Sequence, residues 1–244
     1  MSKNIFIAGK ELPLVAPFAE GFVLKENNVV LFLSEKDEKS DIPSGVETVE
    51  WERGSSLACK NALIQAETKT GFADDFIFYY DSAYYSSVFK DFSIENCTKA
   101  TDTLISSFQF LSLEVLNRIR QHKTKSRLIF ILKSQPDFKD VKLSLALKNT
   151  IENPSNPFVA AGEAAFATFA ENIASVFAEE ENISVLLVAG DNQNETMKNE
   201  SDFSSWLNSY IDSLDGLKSK LPLKNIVNWV KAGSKNPGGF SLFH

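Results

Sequence analysis

The sequence has few of the residues on which metal sites, disulfide frameworks and histidine-based catalysis depend. Two cysteines, Cys59 and Cys97, and two histidines, His122 and His244, occur among 244 residues. Two histidines are too few for a histidine metal cage or for most catalytic triads, so we expect no metal. The cysteines form no CxxC pair, which indicates a reduced, cytoplasmic protein.

Long apolar runs and concentrations of positive charge are also missing from the sequence. No 18 apolar residues run together, and the apolar run at residues 5–8 is too short for a signal-peptide core. The net charge is -7 and the pI is near 5.0. A nucleic-acid binder needs clustered Lys and Arg to neutralise phosphates, so we expect neither a membrane nor a nucleic acid as partner.

Short apolar runs alternate with longer stretches of helical periodicity along the chain. The pattern predicts strands at 4–8, 29–33, 46–51, 76–80, 128–132, 183–188 and 238–243, and helices at 13–25, from 55 to about 66, and at 96–122, 158–181, 203–221 and 223–230. Residues 135–157 read as a loop or short helix, and 192–201 as a polar loop without an apolar anchor. The alternation predicts a single α/β domain over 1–244, a Rossmann-like doubly wound parallel sheet of about seven strands with helices on both faces.

The order of the predicted elements and two local sequence patterns, here called textures, carry a family resemblance. One texture is the alanine-rich stretch from Gly162 to Ala178 followed by Ile183-Ser184-Val185, and the other is residues 224–230 followed by 238–242. Together they resemble the short-chain dehydrogenase/reductase (SDR) family over essentially the whole chain. The resemblance implies a Rossmann fold with a dinucleotide cleft and a homodimer or tetramer, with the helices at 96–122 and 158–181 forming the contact.

The resemblance also locates a phosphate-binding turn, and the residues there depart from the family pattern. The family's TGxxxGxG turn corresponds to residues 8–15, where Gly9 fits but the later glycines are replaced by Pro13 and Val15. Proline offers no N–H and a valine side chain fills the space of a phosphate, so we expect no cofactor, with NAD(P) as the alternative. Glu11 adds a negative charge. Lys10 could hold an anion, although a loop lysine is more often exposed.

The catalytic positions implied by the resemblance have also changed. The family's YxxxK pair falls on Val159 and Glu163, which cannot supply a phenol proton and a pKa-lowering amine. The family's Asn-Asn-Ala-Gly segment falls on the residues from Tyr79 to Ser82. Ser134 is the candidate for the catalytic serine, but no histidine lies nearby in the sequence to activate it.

Three hypotheses for function follow. The first is a non-catalytic, SDR-like pseudoenzyme with a binding or assembly role, which could take a protein partner or a small ligand. The alternative is an atypical NAD(P)-dependent oxidoreductase in which Tyr79, Tyr80, Tyr84 or Tyr85 supplies the proton; the competing reading is that these rings pack the sheet. The third is a small-ligand sensor whose cleft is lined by Lys10, Asp81, Ser82, Ser134 and Glu163.

Overall fold

Parallel strands form one sheet in the computed structural model, which describes residues 2–34, 42–91, 93–135, 156–217 and 227–237. The strands are β1 (Asn4–Ala8), β2 (Asn28–Leu33), β3 (Val46–Glu50), β4 (Asp75–Asp81), β5 (Ser126–Ser134), β6 (Ile183–Asp191) and β7 (Val230–Lys231). Their order in the sheet is β3-β2-β1-β4-β5-β6-β7, and every pairing is parallel. The predicted fold class is therefore confirmed.

Helices cover both faces of this sheet. They are α1 (Ala16–Val23), α2 (Ser56–Thr70), α3 (Ser82–Val88), α4 (Ile94–Thr101), α5 (Ser107–His122), α6 (Pro157–Val176), α7 (Glu195–Lys198) and α8 (Glu200–Leu217). A π-helical segment, Asp102–Ser106, joins α4 to α5. None of the helices within the described ranges combines the length and the apolar character that crossing a membrane requires.

Local chemistry sets several helix starts. Ser55, where the sequence pattern starts the second helix, caps α2, because its hydroxyl accepts the Ala58 N–H at 3.2 Å. Pro17 delays α1, which begins at Ala16 rather than at residue 13 as predicted. Asp81 caps α3 by accepting the N–H groups of Ala83 and Tyr84. The sequence pattern did not predict α3.

Two hydrophobic cores lie on opposite faces of the sheet, because successive side chains of a strand alternate between faces. In β4, Phe76, Phe78 and Tyr80 belong to the core beneath α2, α5 and α6. Ile77 and Tyr79 belong to the core beneath α1 and α8. Both tyrosines are fully buried, and their rings pack in these cores against the sheet.

The structure corrects three predicted helices and loops. The 96–122 helix starts earlier, at Ile94, and is interrupted by the π segment, whereas the 158–181 helix ends at Val176. Within this helix Ala170 and Ala174 are buried, whereas Ala160, Ala161 and Ala164 are exposed. The 192–201 segment contains α7, whose Met197 is fully buried and supplies the apolar anchor that the sequence reading did not find.

The last strand also differs from the prediction. Residues 227–229, predicted to be helical, are not helical, and Val230–Lys231 pairs with Val188 and Ala189 as β7. The predicted strand at 238–243 lies outside the described residues, as does most of the predicted loop at 135–157.

Two glycines in helices make a matched test of close packing. A Cβ on Gly162 would lie 2.6 Å from the Tyr80 hydroxyl and 2.7 Å from Leu104 Cβ, whereas one on Gly216 would meet nothing within 4 Å. We expect Gly162→Ala to lower the free energy of unfolding by about 1–3 kcal/mol through overpacking. Gly216→Ala should leave it unchanged or raise it by up to about 1 kcal/mol. Urea denaturation of both variants measures this, and equal effects would contradict the packing.

Candidate functional site

The candidate site lies where the direction of the chain across the sheet reverses. Successive strands run outward from β1 to β3 and then resume on the other side of β1 with β4, so β1 and β4 are neighbours at the centre. Open α/β sheets bind ligands outside the carboxyl ends of the strands at such a point. The residues that follow β1, β3 and β4 therefore decide what this crevice can hold.

Buried charges of both signs occupy the carboxyl ends of β1, β4 and β5. Lys10 is 5% exposed, and its Nζ donates to carboxylate oxygens of Asp81 at 2.9 Å and Glu200 at 2.6 Å. Lys133 Nζ donates to the same Glu200 oxygen at 3.0 Å. We call Lys10, Asp81, Lys133 and Glu200 the lysine–carboxylate cluster. Its two cations and two carboxylates balance, so Lys10 is neither exposed, as the more ordinary reading had it, nor unpaired.

The cluster also sets the ionisation of Lys10 and of the neighbouring Tyr79. Burial by itself lowers the pKa of Lys10, but the carboxylates of Asp81 and Glu200 outweigh it and raise the pKa above its ordinary value. The Tyr79 hydroxyl donates to Glu200 at 3.1 Å, and burial together with that carboxylate raises the pKa of Tyr79 well above its usual range. At neutral pH the lysine is charged and the phenol is protonated.

A second buried ion pair closes the other side of the turn. Arg53 Nη2 donates to a Glu11 carboxylate oxygen and, at 2.9 Å, to the Gly9 carbonyl, while Nη1 donates to the Tyr85 hydroxyl at 2.9 Å. Glu11 accepts the N–H of Ser34 at 3.1 Å with its other oxygen. The guanidinium lies 4.6 Å from the centroid of the Trp51 ring. We call Glu11 and Arg53 the floor pair.

In the turn between β1 and α1, backbone N–H groups are hydrogen-bonded to carbonyls of the same turn. The N–H groups of Val15 and Ala16 donate to the carbonyls of Glu11 and Pro13, both at 3.1 Å, and Pro17 has no N–H. Val15 is fully buried in the core beneath α1. A phosphate is held at a helix N-terminus by free N–H groups and an unobstructed approach. These residues at the start of α1 supply neither.

Gly9 has a reason to be glycine that does not involve a ligand. Its φ is +122°, and a Cβ there would lie 2.2 Å from the carbonyl oxygen of Tyr79. The close approach of β1 to β4 therefore requires the absence of a side chain. The residue that best matched the family's glycine-rich turn is explained by packing.

The phenols of Tyr80 in β4 and Tyr85 in α3 are engaged with protein acceptors. The Tyr80 hydroxyl donates to the Val159 carbonyl at 2.7 Å, and the Tyr85 hydroxyl donates to the Gly9 carbonyl at 2.5 Å. Burial raises the pKa of Tyr80 above its ordinary range. It raises the pKa of Tyr85 to about 12, although Arg53 acts in the opposite direction. A buried phenol with a raised pKa does carry a proton, but here each is directed at a backbone carbonyl.

The structure divides the predicted cleft residues into separate contacts. Lys10 and Asp81 meet in the lysine–carboxylate cluster, whereas Ser82 donates to Glu163 at 2.5 Å. Ser134, the candidate catalytic serine, donates to the Gly190 carbonyl at 3.2 Å. The five predicted residues thus lie near the carboxyl ends of the central strands, and their hydrogen bonds divide them among the lysine–carboxylate cluster, the Ser82–Glu163 pair and the Ser134 contact.

An open cleft lies beside the filled turn, on the side of β3. Its volume is about 660 Å³, within the range of small-molecule sites. One wall is the segment after β3, including Trp51 and Gly54; a second is α3 with Tyr84 and Val88; the third runs from Glu95 in α4 into the π segment at Asp102 and Thr103. The floor pair forms its base. We call this space the Trp51 cleft.

Sequence reasoning missed the residues that close the site. Arg53 follows β3, Lys133 is near the end of β5, and Glu200 opens α8; each is charged and close to an element end, which is also the usual position of solvated residues. A charged residue at the carboxyl end of a predicted central strand was the available signal for Lys133. No local signal identified Glu200, which is 190 residues from Lys10.

Solved structures of short-chain dehydrogenases/reductases share this architecture. An oxidoreductase of the short-chain dehydrogenase/reductase family from Aeromonas hydrophila has a TM-score of 0.65 at 10% sequence identity. The match covers 96% of this chain and 100% of the Aeromonas chain. A 4-hydroxyisoleucine dehydrogenase complexed with NADH and succinate has a TM-score of 0.60 at 16% sequence identity. The match covers 94% of this chain and 98% of the dehydrogenase. A gluconate 5-dehydrogenase from Burkholderia cenocepacia, in complex with NADP and tartrate, has a TM-score of 0.58 at 11% sequence identity. The match covers 95% of this chain and 94% of that enzyme.

At these identities the similarity establishes the fold alone. The chain therefore has the SDR fold, as the resemblance in its sequence implied. No protein-family model and no curated protein matches the sequence.

Removal of Glu200 tests the lysine–carboxylate cluster. We expect Glu200→Ala to lower the free energy of unfolding by about 3 kcal/mol, because two lysines would share one carboxylate in a poorly solvated site. Glu195→Ala is the matched control, since Glu195 pairs with Lys198 at the surface and should cost no more than about 0.5 kcal/mol. Urea denaturation at pH 7 measures both, and similar losses would contradict the cluster.

The raised pKa of Tyr85 predicts a loss of stability in alkali. The phenol has a pKa of about 12 in the folded chain and about 10 unfolded, so the folded state binds the proton more tightly. The contribution of this phenol to the free energy of unfolding is complete below about pH 10 and is lost as the pH rises toward 12. Tyr85→Phe should make the fall in unfolding free energy shallower by up to about 1.4 kcal/mol per pH unit in that window. Denaturation curves at pH 9, 10 and 11 measure the two slopes, and identical slopes would contradict the assignment.

Proposed function

We propose that this chain is an SDR-like pseudoenzyme: a non-catalytic protein that keeps the dehydrogenase scaffold for a binding or assembly role. The observation that carries the proposal is the buried lysine–carboxylate cluster together with the floor pair. Carboxylates of Asp81, Glu200 and Glu11 lie around the turn where the fold would receive a pyrophosphate. The fixed residues at this turn do not fit a dinucleotide.

Electrostatics support the same proposal. A dinucleotide brings two negative charges, and binding it here would require it to displace two carboxylates from buried lysines. The displaced carboxylates would lose their partners while remaining in a poorly solvated site, at a cost of several kcal/mol. The N–H donors of Val15 and Ala16 would also have to leave their backbone carbonyls. These costs oppose cofactor binding.

The positions of the catalytic pair support a non-catalytic role. Val159 is fully buried and meets Tyr80 through its backbone carbonyl, while Glu163 accepts a hydrogen bond from Ser82. Neither provides a phenol next to an ammonium group. The atypical oxidoreductase, our alternative, has less support, because the hydroxyls of Tyr79, Tyr80 and Tyr85 are bonded to protein acceptors.

We propose a cytoplasmic homodimer or tetramer. The free thiols of Cys59 and Cys97 are consistent with a reducing compartment. Exposed alanines on α6, among them Ala160, Ala161 and Ala164, are consistent with close approach by a second helix.

Titration with nicotinamide dinucleotides tests the proposal. Isothermal titration of the purified chain with NAD, NADH, NADP and NADPH should give no saturable heat at concentrations up to about 1 mM, because the turn holds carboxylates instead of free donors. The Glu11→Gln and Glu200→Gln double variant is the informative comparison, since it removes two negative charges with little change of shape. Micromolar binding of any of the four to the unaltered chain would overturn the proposal.

A further inference from the structure

The Trp51 cleft has a base that cannot serve an anion. Arg53 is its buried cation, at 8% exposure, and the guanidinium is committed to Glu11, to Tyr85 and to the Gly9 carbonyl. One face of the guanidinium stacks on Trp51. An incoming phosphate or carboxylate would have to break these contacts and would meet the Glu11 carboxylate beside the arginine. The base therefore acts as a neutral, polar surface.

The charges on the walls favour a cation. The lining includes four carboxylates, Glu11, Glu52, Glu95 and Asp102, against two cations, Arg53 and Lys99, which leaves a net charge of -2. Once the floor pair is set aside, three carboxylates face one lysine. Across the described ranges, Glu52, Glu95 and Asp102 form no ion pair. A concave, partly desolvated space with excess negative charge attracts cations and repels anions.

The same cleft offers apolar surface for the body of a ligand. Val88, at the end of α3, is 45% exposed, and Tyr84 is half-buried one turn earlier. Trp51 and Phe89 lie behind them and are fully buried or nearly so. Apolar and aromatic walls with a few placed polar groups are typical of small-molecule sites. Aromatic faces also interact favourably with ammonium groups.

A backbone irregularity at the cleft is an independent observation. Asp102 and Thr103 belong to the π-helical segment that interrupts the run from α4 to α5. Single π turns occur frequently at functional sites, where they redirect side chains. The Asp102 carboxylate comes close to Gly54, since its Oδ2 would lie 3.6 Å from a Cβ at that position. The irregular turn thus brings a carboxylate to the wall formed after β3.

We infer that the Trp51 cleft binds an organic cation: an amine or quaternary ammonium group carried on an apolar body of one or two rings. The carboxylates of Asp102 and Glu95 attract the cation, and Val88 and Tyr84 pack against the body. The inference rests on the proposed function, because it takes the cleft to serve a ligand other than a dinucleotide. The volume of about 660 Å³ accommodates a molecule of this size.

Three probes that share a phenyl ring and differ in charge test the inference. They are 2-phenylethylammonium, 2-phenylethanol and 3-phenylpropanoate, and their dissociation constants can be measured by ligand-observed NMR titration of the full chain. For compounds this small we expect a dissociation constant of about 1 mM for the ammonium and one at least about tenfold higher for the propanoate. The alcohol should lie between the two. Raising the salt concentration should reduce the difference, because screening weakens charge interactions.

Charge variants assign the binding to the cleft. Asp102→Asn should weaken ammonium binding about three- to fivefold and change alcohol binding little. Glu179→Gln is the matched control: it removes one carboxylate from the exposed turn that precedes β6, at the opposite edge of the sheet, and should leave all three constants unchanged. Val88→Lys places a cation on an exposed position of the wall and should reverse the preference toward the propanoate.

Several results would overturn the inference: equal binding of the three probes, tightest binding of the propanoate, no binding of the ammonium up to about 10 mM, or an Asp102→Asn variant that behaves like Glu179→Gln. These outcomes are separate from those of the dinucleotide titration. If the chain binds neither the dinucleotides nor the ammonium, this inference is wrong and the proposed function still holds. A chain that binds NADH with micromolar affinity loses the proposed function whatever the probes do.

Discussion

Two lysines and two carboxylates, buried together at the carboxyl ends of β1, β4 and β5, constrain the rest of this molecule. Because charges in a poorly solvated site must be matched, each member requires the others to be in position. Lys10 connects the end of β1 to Asp81 of β4 and to Glu200, and Lys133 brings β5 to the same Glu200 oxygen. Asp81 uses its other oxygen to start α3. The cluster therefore links three strands to the first residues of two helices.

A second ion cluster lies at the amino ends of the same central strands. Arg127 pairs with Asp75 at 2.9 Å and with Asp215 at 2.5 Å, and Lys3 contacts Asp215 at 2.7 Å. Glu200 and Asp215 stand near the two ends of α8, so this helix is held at both ends of the central strands. Between the two anchors, Phe203, Leu207 and Ile211 pack into the core beneath α1. The residue that balances the lysines is thus held in place by the hydrophobic contacts of its own helix.

The filled turn and the open cleft share one structural element. The floor pair of Glu11 and Arg53 closes the turn on one side and forms the base of the Trp51 cleft on the other. Arg53 is held by Tyr85 and by the Gly9 carbonyl, both of which are fixed by β4 and β1. The same contacts that oppose an anion at the turn therefore give the cleft a rigid, neutral base. The open space next to this base therefore lies beside the turn, on the side of β3.

The sequence by itself determined the architecture, because alternating strand and helix periodicity and the order of elements are local signals. It located six strands to within a few residues and the start of α2 next to Ser55. It failed for α7, which a single buried residue, Met197, anchors, and for β7, a strand of two residues whose pairing depends on β6. Only the tertiary structure decided the site. Glu200 joins Lys10 and Lys133, and Arg53 joins Glu11, through contacts between residues far apart in the chain. Their chemistry arises from burial and pairing, and a charged residue at the end of an element looks the same in a sequence whether it is solvated or paired.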